Sequence, residues 1–355
     1  MTSAAPTANP PYFSRASVQT LVLGAFVFLT VPIVVALVTW TESTQPLLPL
    51  YGVTFGLTHF LITGLLYLDR RNLRYFASSR KNRIIYFAIP IAILVGMDVL
   101  AVVPLGEFGV LAHGFLFYFV MFVNFLHVSR QSFGVLQLFK RDARASRAES
   151  LRSLENLFFI ALVLGQFMTF AGGGAYDASS LGVVGTSLLT AVLFATVFGA
   201  HAAALRRGVG RVGRVPLVYF TLQAIAGALV VYRSEFVNIA LAMHYVEYHV
   251  VMMPRLLHSP VERTSRVDRL RGALGKVPIL FYAGLLAVAW GIWFGQRTTL
   301  YLDPEAATLP MRLLVHSLDG IFLFHFFIEA FLWKFSTPHY RETLGPLYFA
   351  PAARD

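Results

Sequence analysis

Ten runs of about 18 or more apolar residues divide this chain, and each can cross a hydrocarbon core of roughly 30 Å at 1.5 Å per residue. They fall near 18–40, 47–68, 84–104, 109–139, 154–172, 181–205, 215–232, 236–257, 278–296 and 309–333. A backbone in lipid has to satisfy its own N–H and C=O groups, which single runs of this length do as helices. The expected fold is therefore all-α: a polytopic transmembrane helix bundle over 18–335, with tails at 1–17 and 336–355. The composition agrees, with 13% charged and 57% hydrophobic residues where soluble proteins carry roughly a quarter charged. The first run is too long for the apolar core of a signal peptide and is expected to be a retained helix.

The cations orient these runs. Arg70, Arg71, Arg74, Arg80, Lys81 and Arg83 occupy one junction, and three further alternate junctions are similarly basic. With Arg15, Lys334, Arg341 and Arg354, 25 cations fall on one side and only Arg233, Arg297 and Arg312 on the other. Positive charge accumulates in cytoplasmic loops, so both termini are expected in the cytoplasm. An extra or missing span would scramble the alternation.

Several function classes drop out. The formal charge of +11 lies in short connectors, not on one face of a soluble domain, which argues against nucleic acid. With 0 cysteines there is no disulfide, no cysteine-ligated cluster and no thiolate zinc site, so a metal would need His, Asp or Glu. Gly208, Gly210 and Gly213 match G-x-G-x-x-G, but in a basic connector without the strand that gives that motif its meaning.

Four histidines share one depth. His59 lies 11 residues before Arg70, His244 lies 11 before Arg255, His325 lies 9 before Lys334, and His127 lies 13 before Lys140. Those separations place all four roughly 13–20 Å from the inner boundary, near the midplane. Ionisable groups at that depth normally face an interior, a cavity or a partner, so the four are expected to meet in one shared interior as metal ligands. Glu247, three residues after His244, and Glu329, four after His325, share a helix face with their histidines and are expected to ligate, orient or act in catalysis. His249 is a further candidate ligand, turned about 140° from His244. His113, His316, Asp319 and Asp98 form an outer polar layer, while His201, His258 and His339 lie near or beyond the cytoplasmic boundary and are expected to have no role.

Two stretches carry a resemblance. His127 to Gly134 (HVSRQSFG) and His325 to Lys334 (HFFIEAFLWK) are similar to the patterns H-x-x-x-Q-x-[FY]-G and H-[FY]-x-[IL]-D-x-x-[IL]-W-[KR] of bacterial polytopic membrane proteins of uncharacterised function. Glu329 stands where the second pattern has Asp. The histidine distribution, with His316 and Asp319, also resembles the Brp/Blh-type carotene dioxygenases, and that likeness implies intramembrane histidines holding iron. The patterns cover under a tenth of the chain.

The expected function is a metal-dependent membrane oxidoreductase of oxygenase type in a bacterial inner membrane. Iron or copper would be its transition metal and a lipid or isoprenoid its substrate, with a redox partner as a further participant. Two alternatives use the same residues: a haem b electron carrier with His127 and His244 as axial ligands, and a proton-coupled transporter in which they form a relay.

Overall fold

The computed structural model describes residues 12–39, 50–102, 106–142, 149–206, 214–257, 273, 277–302, 309–332, 334 and 336–349. Among these the chain is almost entirely helical, and extended backbone pairs only at an isolated bridge between Ala175 and Arg233. The main helices are α1 (Ala16–Thr39), α2 (Gly52–Leu68), α3 (Arg70–Ala77), α4 (Ile89–Val102), α5 (Gly106–Asp142), α6 (Glu149–Ala171), α7 (Leu181–Arg206), α8 (Arg214–Tyr232), α9 (Val237–Leu257), α10 (Pro278–Leu302) and α11 (Leu309–Leu332). Five helices among the described residues are long and apolar enough to cross a membrane, or six if the bent pair α2 and α3 counts as one span. Large apolar side chains stay exposed on them, including Phe28 on α1 and Leu188 and Val192 on α7, as a lipid-facing surface requires. The contacts divide the chain into two compact units.

The first unit comprises Met1–Val34, Val128–Val250 and Arg341–Asp355. Helices α6, α7 and α8 pack on one another there. Gly227 on α8 lets the Leu162 side chain of α6 come so close that a Cβ at this position would collide with it. Phe158, Phe194 and Phe220 fill the space beside that contact, with Phe194 stacked on Phe220 at 5.6 Å. The α6 to α7 turn uses Gly173 and Gly174 at φ +107° and +86°, a region open to glycine, and the Gly174 N–H closes the helix end on the Thr169 carbonyl. The tails are held as well: the Tyr12 hydroxyl donates to the Val250 carbonyl at 2.9 Å, and Phe13 stacks on Tyr348. Tyr12 lies ahead of α1, and burial raises its pKa from 10.0 to about 12.

The second unit comprises Val35–His127 and Val251–Tyr340. Here α4 packs along α11, where Gly320 approaches Leu94 closely, and α2 packs against α10 and α11 through Val53, Leu57, Phe60, Ala289 and Leu318. The junction after the second apolar run is not a plain connector. The chain turns by 74° at Asp69 and forms α3, capped by the Asp69 carboxylate accepting from the Arg71 N–H at 2.9 Å. Asn72 and Phe76 of α3 are buried while Arg70, Arg71 and Arg74 are not, so an amphipathic pattern shorter than a span makes a helix here. Beyond α11, Tyr340 shares a buried hydroxyl pair with Tyr86 at 2.9 Å, and His339 stacks on Tyr75 at 3.9 Å.

Candidate metal centre

Helix α2 begins with a π-helical stretch over Gly52–Leu57, a form that often accompanies functional positions, and His59 follows it closely. His59 and Thr63, one turn apart, are both 0% exposed and face the same way. The carboxyl-terminal half of α11 supplies His325, also 0% exposed, and Glu329 one turn later. The long helix α5 supplies His127.

Within the second unit these side chains form one group. The ring centroids of His59 and His325 are 4.1 Å apart, and those of His127 and His325 are 4.9 Å apart. His325 Nε2 lies 3.3 Å from His127 Nε2. The Glu329 Oε2 oxygen is 3.6 Å from His127 Nε2 and 4.0 Å from His325 Nε2. On its other side, His325 Nδ1 meets the Thr63 hydroxyl at 2.7 Å. Phe60 and Phe326 close the surroundings against the His325 and His127 rings.

Three histidines of this unit, His59, His127 and His325, are buried, and one ring nitrogen from each lies within 4.8 Å of those of the others; His244, 1% exposed, belongs to the first unit. Such a group can hold a metal ion. Two imidazoles on a tetrahedral ion, with bonds near 2.0–2.1 Å, have nitrogens roughly 3.3–3.4 Å apart. The 3.3 Å between His325 and His127 already matches that spacing. The Glu329 carboxylate beside them supplies negative charge against a divalent ion.

Glu247 has a different setting. Tyr219 and Gln223, one turn apart on α8, both donate to its Oε1 at 2.8 and 2.6 Å. Gln131 donates to the backbone carbonyl of His244 at 2.8 Å. His249, also in the first unit, is half-buried. In the outer layer, Asp98 accepts from Ser317 at 2.9 Å, whereas the side chains of His113, His316 and Asp319 lie outside the described residues, as does His258.

His201, expected at the cytoplasmic boundary with no role, is 1% exposed. Its Nε2 lies 2.8 Å from Glu155 Oε1, and Lys140 Nζ contacts both Glu155 oxygens at 2.8 and 2.7 Å. Gln137 donates to the same carboxylate at 2.7 Å. Depth counted from Arg206 places His201 at the boundary, but helix packing around Glu155 encloses it there. Thr63, Tyr219 and Gln223 are site residues that the sequence pattern does not single out. For Thr63 the one available signal is its four-residue spacing from His59.

The chain is thus an almost entirely helical protein, among its described residues, with apolar helices fit to span a membrane and, in its second unit, three buried histidines fit to hold a metal ion. No family model, curated protein or solved structure matches it.

Proposed function

We propose that this protein is a membrane-embedded, metal-dependent oxidoreductase of oxygenase type, with ten spans and both termini cytoplasmic, acting on a lipid or isoprenoid that enters from the bilayer. The observation that carries the proposal is the packing of His59, His127 and His325 with the Glu329 carboxylate in a dry setting. His59, His127, His244 and His325 are the ligands on this reading, and Glu329 is a fifth ligand or a group that steadies them. Iron, or copper, in an imidazole and carboxylate setting supplies one-electron chemistry and activates dioxygen. The protein's own contribution is to fix the rings, exclude water through Phe60 and Phe326, and hold charge near the ion through Glu329. Tyr219 and Gln223 hold the Glu247 carboxylate with its Oε1 between two donors, a group suited to keeping or passing a proton.

The haem b alternative takes His127 as an axial ligand, and His325 Nε2 at 3.3 Å from His127 Nε2 leaves no room for a porphyrin on that nitrogen, which favours a bare ion. A proton-coupled transporter is the second reading, favoured by the buried Lys140, Glu155 and His201 group. Metal analysis of detergent-purified protein decides first. The oxidoreductase reading expects close to one iron or copper per chain, retained through reconstitution; substoichiometric iron, copper, manganese and zinc under both conditions rule it out. Substrate flux in proteoliposomes that persists after metal removal would replace it with the transporter.

A further inference from the structure

We infer that Thr63 is a positioning residue that sets the tautomer of His325, holding its proton on Nδ1 and presenting the Nε2 lone pair to the histidine group. The effect on metal affinity rests on the metal reading above, whereas the tautomer itself does not.

The argument starts from the hydroxyl. A threonine in a helix can donate its O–H to the carbonyl four residues earlier. Six threonines here do so: Thr39 donates to Val35, Thr58 to Thr54, Thr186 to Gly182, Thr190 to Thr186, Thr196 to Val192 and Thr221 to Leu217, at 2.5–2.9 Å, whereas Thr169 donates to the Val231 carbonyl of another helix. Thr63 sits within the same kind of helix, so its proton has a backbone acceptor at hand and its oxygen lone pairs are left to accept. The group in front of that oxygen is His325 Nδ1 at 2.7 Å, with both residues 0% exposed and so shielded from competing solvent. A neutral imidazole has a single N–H. Placed on Nδ1, it donates to Thr63, and Nε2 is left as a lone pair facing His127 Nε2 at 3.3 Å and Glu329 at 4.0 Å. That is the form a metal ligand needs, and fixing the second nitrogen is how neighbouring groups orient histidine ligands. The single helix α2 therefore supplies both a histidine of the group and, one turn on, the orienter of another.

The test uses 15N-histidine-labelled, metal-free protein in detergent, with His325 assigned by the signal lost in His325→Gln. The wild-type spectrum is expected to show a protonated Nδ1 and a bare Nε2 at His325. Thr63→Val, of equal size but without the hydroxyl, should populate the other tautomer, and Thr63→Ser should restore the wild-type pattern. Cobalt(II), titrated by its visible absorption, should bind Thr63→Val about 10- to 100-fold more weakly than wild type or Thr63→Ser. A wild-type His325 protonated on Nε2 overturns the inference without any variant having to fold. So does a Thr63→Val protein that keeps the wild-type tautomer or binds cobalt as tightly, and in the latter case the metal reading stands. If the wild type binds no cobalt, the metal reading fails and the tautomer spectrum alone decides the role of Thr63.

Discussion

His127 and His325, 198 residues apart in the chain, bring their Nε2 atoms to 3.3 Å inside one unit. Two bare imidazole lone pairs at that distance repel, so the approach is stable only with a proton or a cation between them. This pair is therefore the most direct place to probe the proposed centre.

Replacing either ring removes that shared position. His127→Gln and His325→Gln are each expected to lower bound metal to below about a tenth of the wild-type content, measured by elemental analysis at matched protein concentration. His339→Gln, which loses a stack on Tyr75 beyond the end of α11, should retain full metal. Equal metal loss in all three variants would point to general unfolding instead of ligation.

Chelation should be felt in stability. An ion that binds only the folded protein stabilises it by about 2.7 kcal/mol at 100 times its Kd. Metal-depleted protein should therefore unfold at lower temperature in a detergent melt, with recovery on adding iron(II) anaerobically. Melting curves that ignore both treatments would count against a resident ion.

Glu155 and Lys140 form a buried ion pair at 0% and 3% exposure. Breaking one side leaves a bare charge, so Glu155→Gln is expected to destabilise by about 3–5 kcal/mol. The double change Lys140→Met with Glu155→Leu should recover much of that loss, because neither charge then remains to be desolvated. A double variant as unstable as the single one would mean that Glu155 is required for another reason, and its bond to His201 is the place to look.

Gly227 should not tolerate a side chain. A Cβ there runs into the Leu162 side chain, and Gly227→Ala is expected to cost about 1–3 kcal/mol. Adding Leu162→Ala should offset part of it, since the obstructing atoms go. Strict additivity of the two changes in thermal unfolding would show that the two positions do not share this contact.

Tyr12 ties the amino-terminal segment to the Val250 carbonyl, and its folded pKa of about 12 exceeds the ordinary 10.0. The sign follows from linkage: the protonated form is favoured on folding, so its contribution is whole below pH 10 and is lost as pH rises through about 12. Tyr12→Phe should flatten the alkaline fall in stability over that interval, read by circular dichroism.

Much of the site is legible in the sequence because depth in a membrane is a one-dimensional quantity. A rise of 1.5 Å per residue and a boundary read from the cations are enough to expect His59, His127, His244 and His325 at one level. The cost of an imidazole in lipid then calls for a shared interior, and within the second unit His59, His127 and His325 do come together. Glu329 is legible for the same reason, being one turn from His325 on its face. Direction around each helix axis, and which helix lies beside which, are not legible in this way, since they depend on ridges, grooves and glycine contacts such as Gly227 with Leu162 and Gly320 with Leu94. Only tertiary packing decided that Thr63 meets His325, that Tyr219 and Gln223 hold Glu247, and that His201 is enclosed with Glu155 and Lys140. Local apolar pattern determines that a segment is a helix apolar enough for a membrane; the hydrogen-bond partner of a buried side chain comes from another helix, and side-chain packing selects it.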